Sequence, residues 1–324
     1  MNETLNSSAV SGGLVGALAA MRDKGKPPHS VRVLNSWIDR TANELRIDKG
    51  GRLAWLVAST VVTAKLQCVI DSRGDSRFLM KGGTLLQHRL GLEARATVDL
   101  DGMIRGDLDN FLAALDVALE EPWGPISFAR TDTEEIRVPG KAHRPRKFDM
   151  VLSIRGVVWR KIKVEISPEE GRAACSGEAF PAPRLEGFGI PTPDKLVGMA
   201  MSYQAAQKLH GAAGVHDPAH GYKNLRARDV VDLILIKRLS DETGHPSRLS
   251  IREAAEDTFQ VRGIEAEAAG RVPLVWPPKL QAYSHWKHDF EVAAQAAGLE
   301  LTLEEAVAAV NGWIAELTEA AEGD

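Results

Sequence analysis

A glycine turn followed by a pair of aspartates constrains the fold of this chain most strongly. Residues 77–80 have the composition of a short strand and run directly into Lys81-Gly82-Gly83-Thr84, after which residues 85–90 follow a helical pattern. Residues 97–101, in which Asp99 lies fifteen residues beyond Thr84, alternate polar and apolar side chains, as a half-buried strand does. The sequence therefore predicts a strand, a glycine turn, a helix and then a second strand.

The glycine turn has the features of a phosphate-binding site. Gly82 and Gly83 let the backbone approach a ligand closely, because neither carries a side chain. The start of the following helix offers free N–H groups and the positive end of the helix dipole, and Thr84 adds a hydroxyl there.

The aspartate pair has the features of a metal site. Asp99 and Asp101 are two residues apart on the predicted strand, so they project side by side while Val98 and Leu100 face the core. Two neighbouring carboxylates repel each other unless a cation lies between them. Mg²⁺ prefers oxygen ligands and keeps coordination positions for phosphates, so it fits this pair.

Each motif alone also has a simpler explanation. A Gly-Gly pair is most often only a turn, and an Asp-x-Asp on an alternating strand is most often its solvent-exposed face. Asp99-Leu100-Asp101-Gly102 also begins like a calcium-binding loop, but the later ligands of an EF-hand are missing. The order of the two motifs is what makes them specific.

The remaining pattern predicts a mixed α/β half followed by a helical half. At roughly 150 residues per domain, 324 residues correspond to about two domains. Ser30 is the predicted N-cap of the first regular helix, and a Pro- and Gly-rich stretch over 168–193 separates the halves. We expect a lead-in over 1–28, an α/β domain over 29–185 and a helical domain over 186–324. Helices are predicted over 53–70, 108–119, 195–209, 226–239, 251–261, 279–297 and 303–317, and strands over 147–154 and 157–166 with a turn at Arg155-Gly156.

Charge is unevenly distributed along the chain. The formal net charge of −4 excludes a uniformly basic coat of the kind many nucleic-acid-binding proteins carry. Nine basic residues and one acid nevertheless fall within 137–163, whereas 291–324 contains eight acids and no Lys or Arg. A solvated strand pair would account for the basic run equally well on charge alone.

Composition also limits the class of protein. Cys68 and Cys175 are too few for a disulfide framework or a four-cysteine zinc site, which suits a reducing compartment. No apolar run approaches the ~20 residues of a membrane-spanning helix. No basic leader precedes the small apolar residues 14–21, so we expect a cytoplasmic protein without a membrane partner.

Five segments together resemble the nucleotidyltransferase-fold toxins of the AbiEii/MenT family. The resemblance covers roughly residues 30–240 and implies an α+β fold: a polymerase-β-like nucleotidyltransferase domain with a mixed sheet, followed by an all-helical C-terminal domain. It also implies nucleotide transfer from an NTP under Mg²⁺, with tRNA the known acceptor for some members, and a cognate antitoxin as partner. The matching segments are Phe78-Leu79-Met80-Lys81-Gly82-Gly83-Thr84-Leu85-Leu86, Thr97-Val98-Asp99-Leu100-Asp101, Lys163-Val164-Glu165-Ile166-Ser167, Asp194-Lys195-Leu196 and Arg226-Ala227-Arg228-Asp229-Val230-Val231-Asp232.

The resemblance implies roles for individual residues. Glu165 is the candidate third acid, as a metal ligand or as the acceptor of a proton from an acceptor hydroxyl, and Asp149 competes with it for this role. Asp229 and Asp232 share a helix face, so an ordinary surface ion-pair pattern is the alternative for both. The implied catalytic residues are Asp99, Asp101, Glu165, Lys195 and Asp229; the implied metal ligands are Asp99, Asp101 and Glu165; and nucleotide phosphates would contact Lys81, Gly82, Gly83, Thr84, Arg226 and Arg228.

Three departures from the family leave questions open. Thr97 stands where several members carry a serine whose phosphorylation silences the toxin, which makes Thr97 a candidate regulatory phosphorylation site. A long segment over 210–222 contains His210, His216 and His220, but a metal site in such a Gly- and Ala-rich connection is not expected. The acidic C-terminal region lies outside the resemblance.

These features predict an Mg²⁺-dependent nucleotidyltransferase toxin, with Mn²⁺ as the alternative metal and a tRNA 3′ end as the expected acceptor. Arg144, Arg146 and Lys147 flank the candidate third acid and are the predicted contacts to the RNA backbone. The alternatives are a nucleotidyltransferase acting on a protein or a small molecule, and a GTP-binding regulatory module without catalysis.

Overall fold

A computed structural model describes residues 11–46, 51–91, 94–95, 97–136, 144–216 and 223–320. Its centre is one mixed sheet of eight strands in the order β3-β5-β6-β2-β1-β8-β7, with the short β4 pairing with β5. The strands are β1 (Phe78–Lys81), β2 (Asp99–Ile104), β3 (Ser127–Arg130), β4 (Glu134–Glu135), β5 (Arg146–Ile154), β6 (Val157–Pro168), β7 (Gly177–Phe180) and β8 (Leu196–Met199).

Ten helices surround this sheet in the described part of the chain. Five precede or interrupt the strands: α1 (Ser11–Ala20), α2 (Val31–Glu44), α3 (Arg52–Gln67), α4 (Gly82–Leu90) and α5 (Leu108–Leu119). Five follow β8: α6 (Met201–Ala212), α7 (Ala227–Thr243), α8 (Arg248–Ala268), α9 (Lys287–Ala296) and α10 (Leu303–Glu319). The fold class predicted from sequence, a mixed sheet followed by helices, is confirmed.

Strand register places polar and apolar side chains on opposite faces of the central strands. β2 runs parallel to β6 and antiparallel to β1. Leu100 of β2 lies opposite Val164 of β6, and both are fully buried. Asp99 and Asp101 alternate with Leu100, so they lie on the other face, which is only partly buried. The sheet therefore presents its acidic residues on one face.

Local sequence signals explain several of these elements. Ser30 begins α2, since its hydroxyl oxygen accepts a hydrogen bond from the N–H of Val33 at 3.3 Å. Arg155 and Gly156 both adopt positive φ, as the two-residue turn between β5 and β6 requires. α3 is buried almost all round, as its continuous apolar sequence predicts, and packs against β1, β6 and β8.

Three expectations from sequence are wrong in detail. Val98 is 73% exposed because β2 begins only at Asp99. The predicted helix over 195–209 contains the strand β8, which pairs with β1 and β7 before α6 begins. The predicted helix over 279–297 begins as a regular helix only at Lys287, directly after a short 3-10 helix over Ser284–Trp286.

The strand β8 also bears on the predicted domain boundary near residue 185. β8 lies beyond that boundary in sequence, yet it occupies a place in the sheet between β1 and β7. Chain that follows the boundary therefore contributes to the sheet itself. No helix in the described ranges is long and apolar enough to cross a membrane.

Candidate active site

The candidate catalytic acids lie side by side on β2 and β6. Asp101 of β2 is the register partner of Glu165 of β6, and Asp99 is the partner of Lys163. The ammonium of Lys163 lies 2.7 Å from a carboxylate oxygen of Glu165 and 3.5 Å from one of Asp99. Lys163 therefore bridges two of the three predicted acids.

Asp149, the competing candidate for the third acid, lies one strand further away. Its register partner on β6 is Lys163, so Lys163 separates Asp149 from Asp99. Glu165, in contrast, is directly level with Asp101. The register favours Glu165.

The carboxyl of Asp101 has a raised pKa. Burial is the largest cause, the negative charges of Glu165 and Asp99 add to it, Lys81 and Lys208 oppose it, and together they raise the pKa to about 6. Lys81 is the register partner of Asp101 on β1, and its ammonium donates to the hydroxyl of Ser167 at 2.7 Å. The candidate site thus gathers the carboxylates of Asp99, Asp101 and Glu165 beside two lysines, Lys81 and Lys163.

The glycine turn is shaped around the Asp101 carboxylate. Gly82 has φ +69°, and a Cβ built on it would lie 2.2 Å from Oδ2 of Asp101. A Cβ on Gly83 would lie 3.2 Å from the Thr97 hydroxyl and 3.3 Å from a guanidinium nitrogen of Arg95. Only glycine at position 82 permits this approach, because both the conformation and the space exclude a side chain.

Two donors that sequence analysis assigned to phosphate are engaged within the protein. The hydroxyl of Thr84 is buried and donates to the carbonyl oxygen of Asp99 at 2.7 Å. The N–H of Gly82 donates to the side-chain oxygen of Gln204 at 3.1 Å. Thr84 therefore fixes the start of β2 in this structure, and Gly82 does not offer a free N–H.

A buried ionic network connects the sheet to the helices. Lys208 of α6 contacts Asp229 at 2.8 Å and Asp232 at 2.6 Å, both on α7. Arg95, in the segment before β2, forms two hydrogen bonds of 3.0 Å to the carboxylate of Asp232. Arg226 lies 3.7 Å from Asp229.

The charges of this network stabilise one another. Burial lowers the pKa of Lys208, but Asp229 and Asp232 outweigh burial and raise it overall. Burial raises the pKa of Asp232, but Lys208 and Arg95 outweigh burial and hold it below its usual value. Both groups are therefore ionised at neutral pH, and the buried charges are fully paired.

The lysine assigned by resemblance is not in this network. Lys195 is exposed and directly precedes β8. Met80 of β1 pairs with Gly198 of the parallel β8, so Lys195 lies toward the end of β8 remote from Lys81 and Asp101. The resemblance also implies that Asp229 orients Lys195 or a nearby Arg, but in this structure the nearest cation to Asp229 is Lys208, at 2.8 Å, followed by Arg226.

Sequence analysis missed Lys208, Arg95 and Gln204. Lys208 and Gln204 are one helical turn apart on α6 and are both buried. A lysine within a buried helix usually has an ionic partner, so the position of Lys208 could have been used to predict one. Arg95 carried no such signal, because its partner Asp232 is 137 residues away.

The predicted RNA-binding residues are each paired with an acid. Arg144 contacts Glu135 at 3.1 Å, Lys147 contacts Glu134 at 2.9 Å, and Arg146 contacts Asp109. Two further basic residues of the run over 137–163, Arg137 and Lys141, lie outside the described residues. Arg228, a predicted phosphate contact, is exposed in the first turn of α7.

The described residues contain no group of three or more His, Cys, Asp or Glu side chains placed to hold a metal. Glu165 therefore does not complete a preformed three-carboxylate site with Asp99 and Asp101. His216 stacks against His285 and His210 packs edge-on against Phe259, while His220 lies outside the described residues.

Comparisons with known proteins agree with this architecture. A search of curated proteins found no match. Among solved structures, the nucleotidyltransferase toxin MenT4 of Mycobacterium tuberculosis H37Rv is similar, with a TM-score of 0.54 and 19% sequence identity over 90% of this chain and 91% of that chain. This likeness shows the fold. The family described as the nucleotidyl transferase AbiEii toxin of type IV toxin–antitoxin systems matches residues 65–310, which include the glycine turn, the acids of β2 and β6 and the network of α6 and α7. The chain is thus a nucleotidyltransferase, an activity that implies an NTP substrate, and it belongs to the AbiEii family of type IV toxin–antitoxin toxins, which implies an antitoxin partner.

Proposed function

We propose that this toxin transfers a nucleotide from an NTP to RNA in an Mg²⁺-dependent reaction, with the 3′ end of a tRNA as the acceptor. The observation that carries the proposal is the Asp101 carboxylate packed against the Gly82 turn, level with Glu165 and beside Asp99. This arrangement gathers carboxylate oxygens, the ligands that Mg²⁺ prefers, beside the glycine turn.

The chemistry of Asp99 and Asp101 fits a divalent metal. Their oxygen donors suit Mg²⁺, and also Mn²⁺, which prefer carboxylates, water and phosphates. A bound cation would also favour the ionised form of Asp101, whose pKa is raised to about 6, chiefly by burial. When bound, the metal would neutralise charge on the phosphates during transfer.

The remaining residues are proposed to bind and orient the reactants. Lys81, level with Asp101, supplies a positive charge for the triphosphate, and Arg226 and Arg228 add two exposed charges at the start of α7. Lys208 positions Asp229 and Asp232, because both of its short contacts are to these acids.

Apart from one proton transfer, the reaction forms one bond and breaks one. The oxygen of an acceptor hydroxyl forms a bond to the α-phosphorus, the bond from that phosphorus to pyrophosphate breaks, and Glu165 accepts the hydroxyl proton. For Glu165 to do so, its contact with Lys163 must exchange, and an exposed ion pair of this kind contributes only about 0–1 kcal/mol.

The experiment that tests the proposal uses total tRNA and each of the four α-labelled NTPs, with Mg²⁺, Mn²⁺ or EDTA. We expect one NTP to label tRNA, in a reaction abolished by EDTA and by Asp101→Asn. Label on a protein or a small molecule instead of tRNA would support the alternative acceptors. Binding of GTP without transfer would support a regulatory module.

Thr97 is proposed as a regulatory phosphorylation site beside the turn. Its hydroxyl donates to the carbonyl of Asp99 at 3.3 Å and lies near the position of a Cβ on Gly83. A phosphate there adds about −1.5 to −2 charges and would repel an incoming triphosphate. We expect mass spectrometry after co-expression with the antitoxin to find phosphorylated Thr97; consistently unmodified Thr97 would refute this proposal.

A further inference from the structure

Gln204 of α6 holds the backbone of Gly82 through both of its polar atoms. Its side-chain nitrogen donates to the Gly82 carbonyl at 3.0 Å, and its oxygen accepts from the Gly82 N–H at 3.1 Å. Gln204 is 2% exposed, so water does not compete for these bonds. Two opposed hydrogen bonds to one residue fix both its position and its orientation.

A small displacement of Gly82 would act directly on the Asp101 carboxylate. The space beside its Cα is filled by the Asp101 carboxylate, whose Oδ2 lies 2.2 Å from the position of a Cβ. A shift of Gly82 toward β2 would therefore push Asp101, and a shift away would open a gap beside it.

The same helix also holds the buried network. Lys208 follows Gln204 by one helical turn, so both side chains leave α6 on the same face. Gln204 bonds to the turn after β1, while Lys208 contacts Asp229 and Asp232 of α7. α6 thus joins the turn beside the acids to the helical part of the molecule.

We propose that Gln204 is a positioning residue for nucleotide transfer, which holds Gly82, and through it the Asp101 carboxylate, in the geometry that binds the metal and the triphosphate. The inference rests on the proposed function, since it assigns Asp101 to that chemistry. If Gln204 served only to satisfy buried polar groups, its loss would lower stability without changing the turnover of the folded enzyme.

The test compares two substitutions with a matched control. Gln204→Met keeps the side-chain length and removes both hydrogen bonds, and Gln204→Asn keeps an amide that is too short to reach both groups. Gln207→Met makes the same chemical change on the same helix at a residue that instead donates to Glu170 at 2.7 Å. The midpoint of thermal unfolding, the folded fraction, and kcat and KM for the NTP used by the parent are measured for all three.

We expect both Gln204 variants to lower kcat about 10- to 100-fold per folded molecule, because a displacement of about 1 Å suffices for such a loss. We expect KM for the NTP to change less than about threefold, and Gln207→Met to retain the parent kcat. A kcat of either Gln204 variant within about twofold of the Gln207→Met value would overturn the proposal.

A second measurement separates this proposal from the proposed function. If the parent transfers no nucleotide to any acceptor, the proposed function fails, and titration with Mn²⁺ followed by electron paramagnetic resonance decides the role of Gln204. Weakening of Mn²⁺ binding by about fivefold or more in the Gln204 variants relative to Gln207→Met would support the positioning role. Equal Mn²⁺ affinity would overturn it.

Discussion

At the scale of single residues, the site is defined by charges that are not fully compensated. Asp101 lies between Lys81 and Glu165 in one row across three strands, and its neighbours and burial leave its pKa at about 6. Lys208 and Asp232, by contrast, are buried and paired. The first set lies at the candidate metal site, whereas the second is held together by internal ion pairs.

The raised pKa of Asp101 predicts that Asp101→Asn stabilises the metal-free protein at neutral pH. Since the folded-state pKa lies above the ordinary value of 3.8, the ionised carboxylate disfavours folding, and this cost appears as pH rises from about 4 through 6. At pH 8 we expect Asp101→Asn to raise the free energy of unfolding by up to about 3 kcal/mol, a gain that disappears near pH 4.

Urea unfolding of parent and variant in EDTA, at pH values from 4 to 8, measures this difference. Groups shared by the two proteins cancel in the comparison. Adding Mg²⁺ or Mn²⁺ at pH 8 should stabilise the parent and reduce the difference. A difference that is independent of pH, or larger at pH 4, would contradict the assignment.

The two lysines Lys208 and Lys195 are predicted to differ sharply in their contribution to stability. Lys208→Met leaves buried Asp229 and Asp232 without their shared cation, and loss of one partner from a buried pair costs about 3–5 kcal/mol. Lys195→Met changes an exposed side chain and should alter the free energy of unfolding by less than about 0.5 kcal/mol.

Urea denaturation at pH 7 measures the free energy of unfolding of both variants. Nucleotide transfer by each variant is compared with the parent per folded molecule. We expect transfer to be lost in Lys208→Met and retained in Lys195→Met. The reverse result for transfer would restore the sequence-based assignment of Lys195.

At the scale of elements, the turn between β1 and α4 is predicted to tolerate no side chain at Gly82. Gly82→Ala meets both a positive φ of +69° and the Asp101 carboxylate. Gly74→Ala is the matched control, because its φ of +84° is similar but no atom lies within 4 Å of the new Cβ.

Both substitutions should lower the free energy of unfolding by about 1–2 kcal/mol, because each places a side chain on a residue with positive φ. Gly82→Ala should be less stable than Gly74→Ala, since the contact with Asp101 adds to that loss. Transfer should fall by about 100-fold or more in Gly82→Ala only, because the carboxylate must move. Equal stability and equal turnover of the two variants would show that Asp101 does not depend on the turn.

The elements also show what sequence could predict. The Gly-Gly turn and the alternating acids were visible because their partners are close in sequence, and the β5–β6 turn at Arg155-Gly156 was visible for the same reason. β8 was not visible: its four residues precede a helix, and only pairing with β1 and β7 makes them a strand. The hydrogen bonds of Thr84 and Gly82 within the protein could not be predicted either. The partner of Gly82, for example, is Gln204, which lies on a helix distant in sequence.

At the scale of the whole molecule, the net charge of −4 conceals two regions of opposite sign, a basic one over 137–163 and an acidic one over 291–324. The described basic residues of β5 and β6 belong to the strands that border Glu165, whereas α10 carries Glu304, Glu305, Glu316 and Glu319 and no basic residue. A polyanion would therefore be attracted to the β5 side of the sheet, near the candidate acids.

This layout predicts that neutralising Arg144, Arg146 and Lys147 together weakens tRNA binding and flattens its dependence on salt. Each residue is now paired with an exposed carboxylate, and such pairs contribute only about 0–1 kcal/mol, so RNA phosphates can replace the carboxylates. The triple Gln variant removes up to three positive charges that would face phosphates, and the slope of log affinity against log salt should fall by about 0.7 for each phosphate that is no longer neutralised.

The matched control neutralises Lys237, Arg248 and Arg252, which are also paired with acids but lie on α7 and α8. Filter binding of total tRNA at several salt concentrations measures both slopes. An affinity and slope equal to those of the control variant would exclude β5 as the RNA-binding surface, even if nucleotide transfer itself were intact.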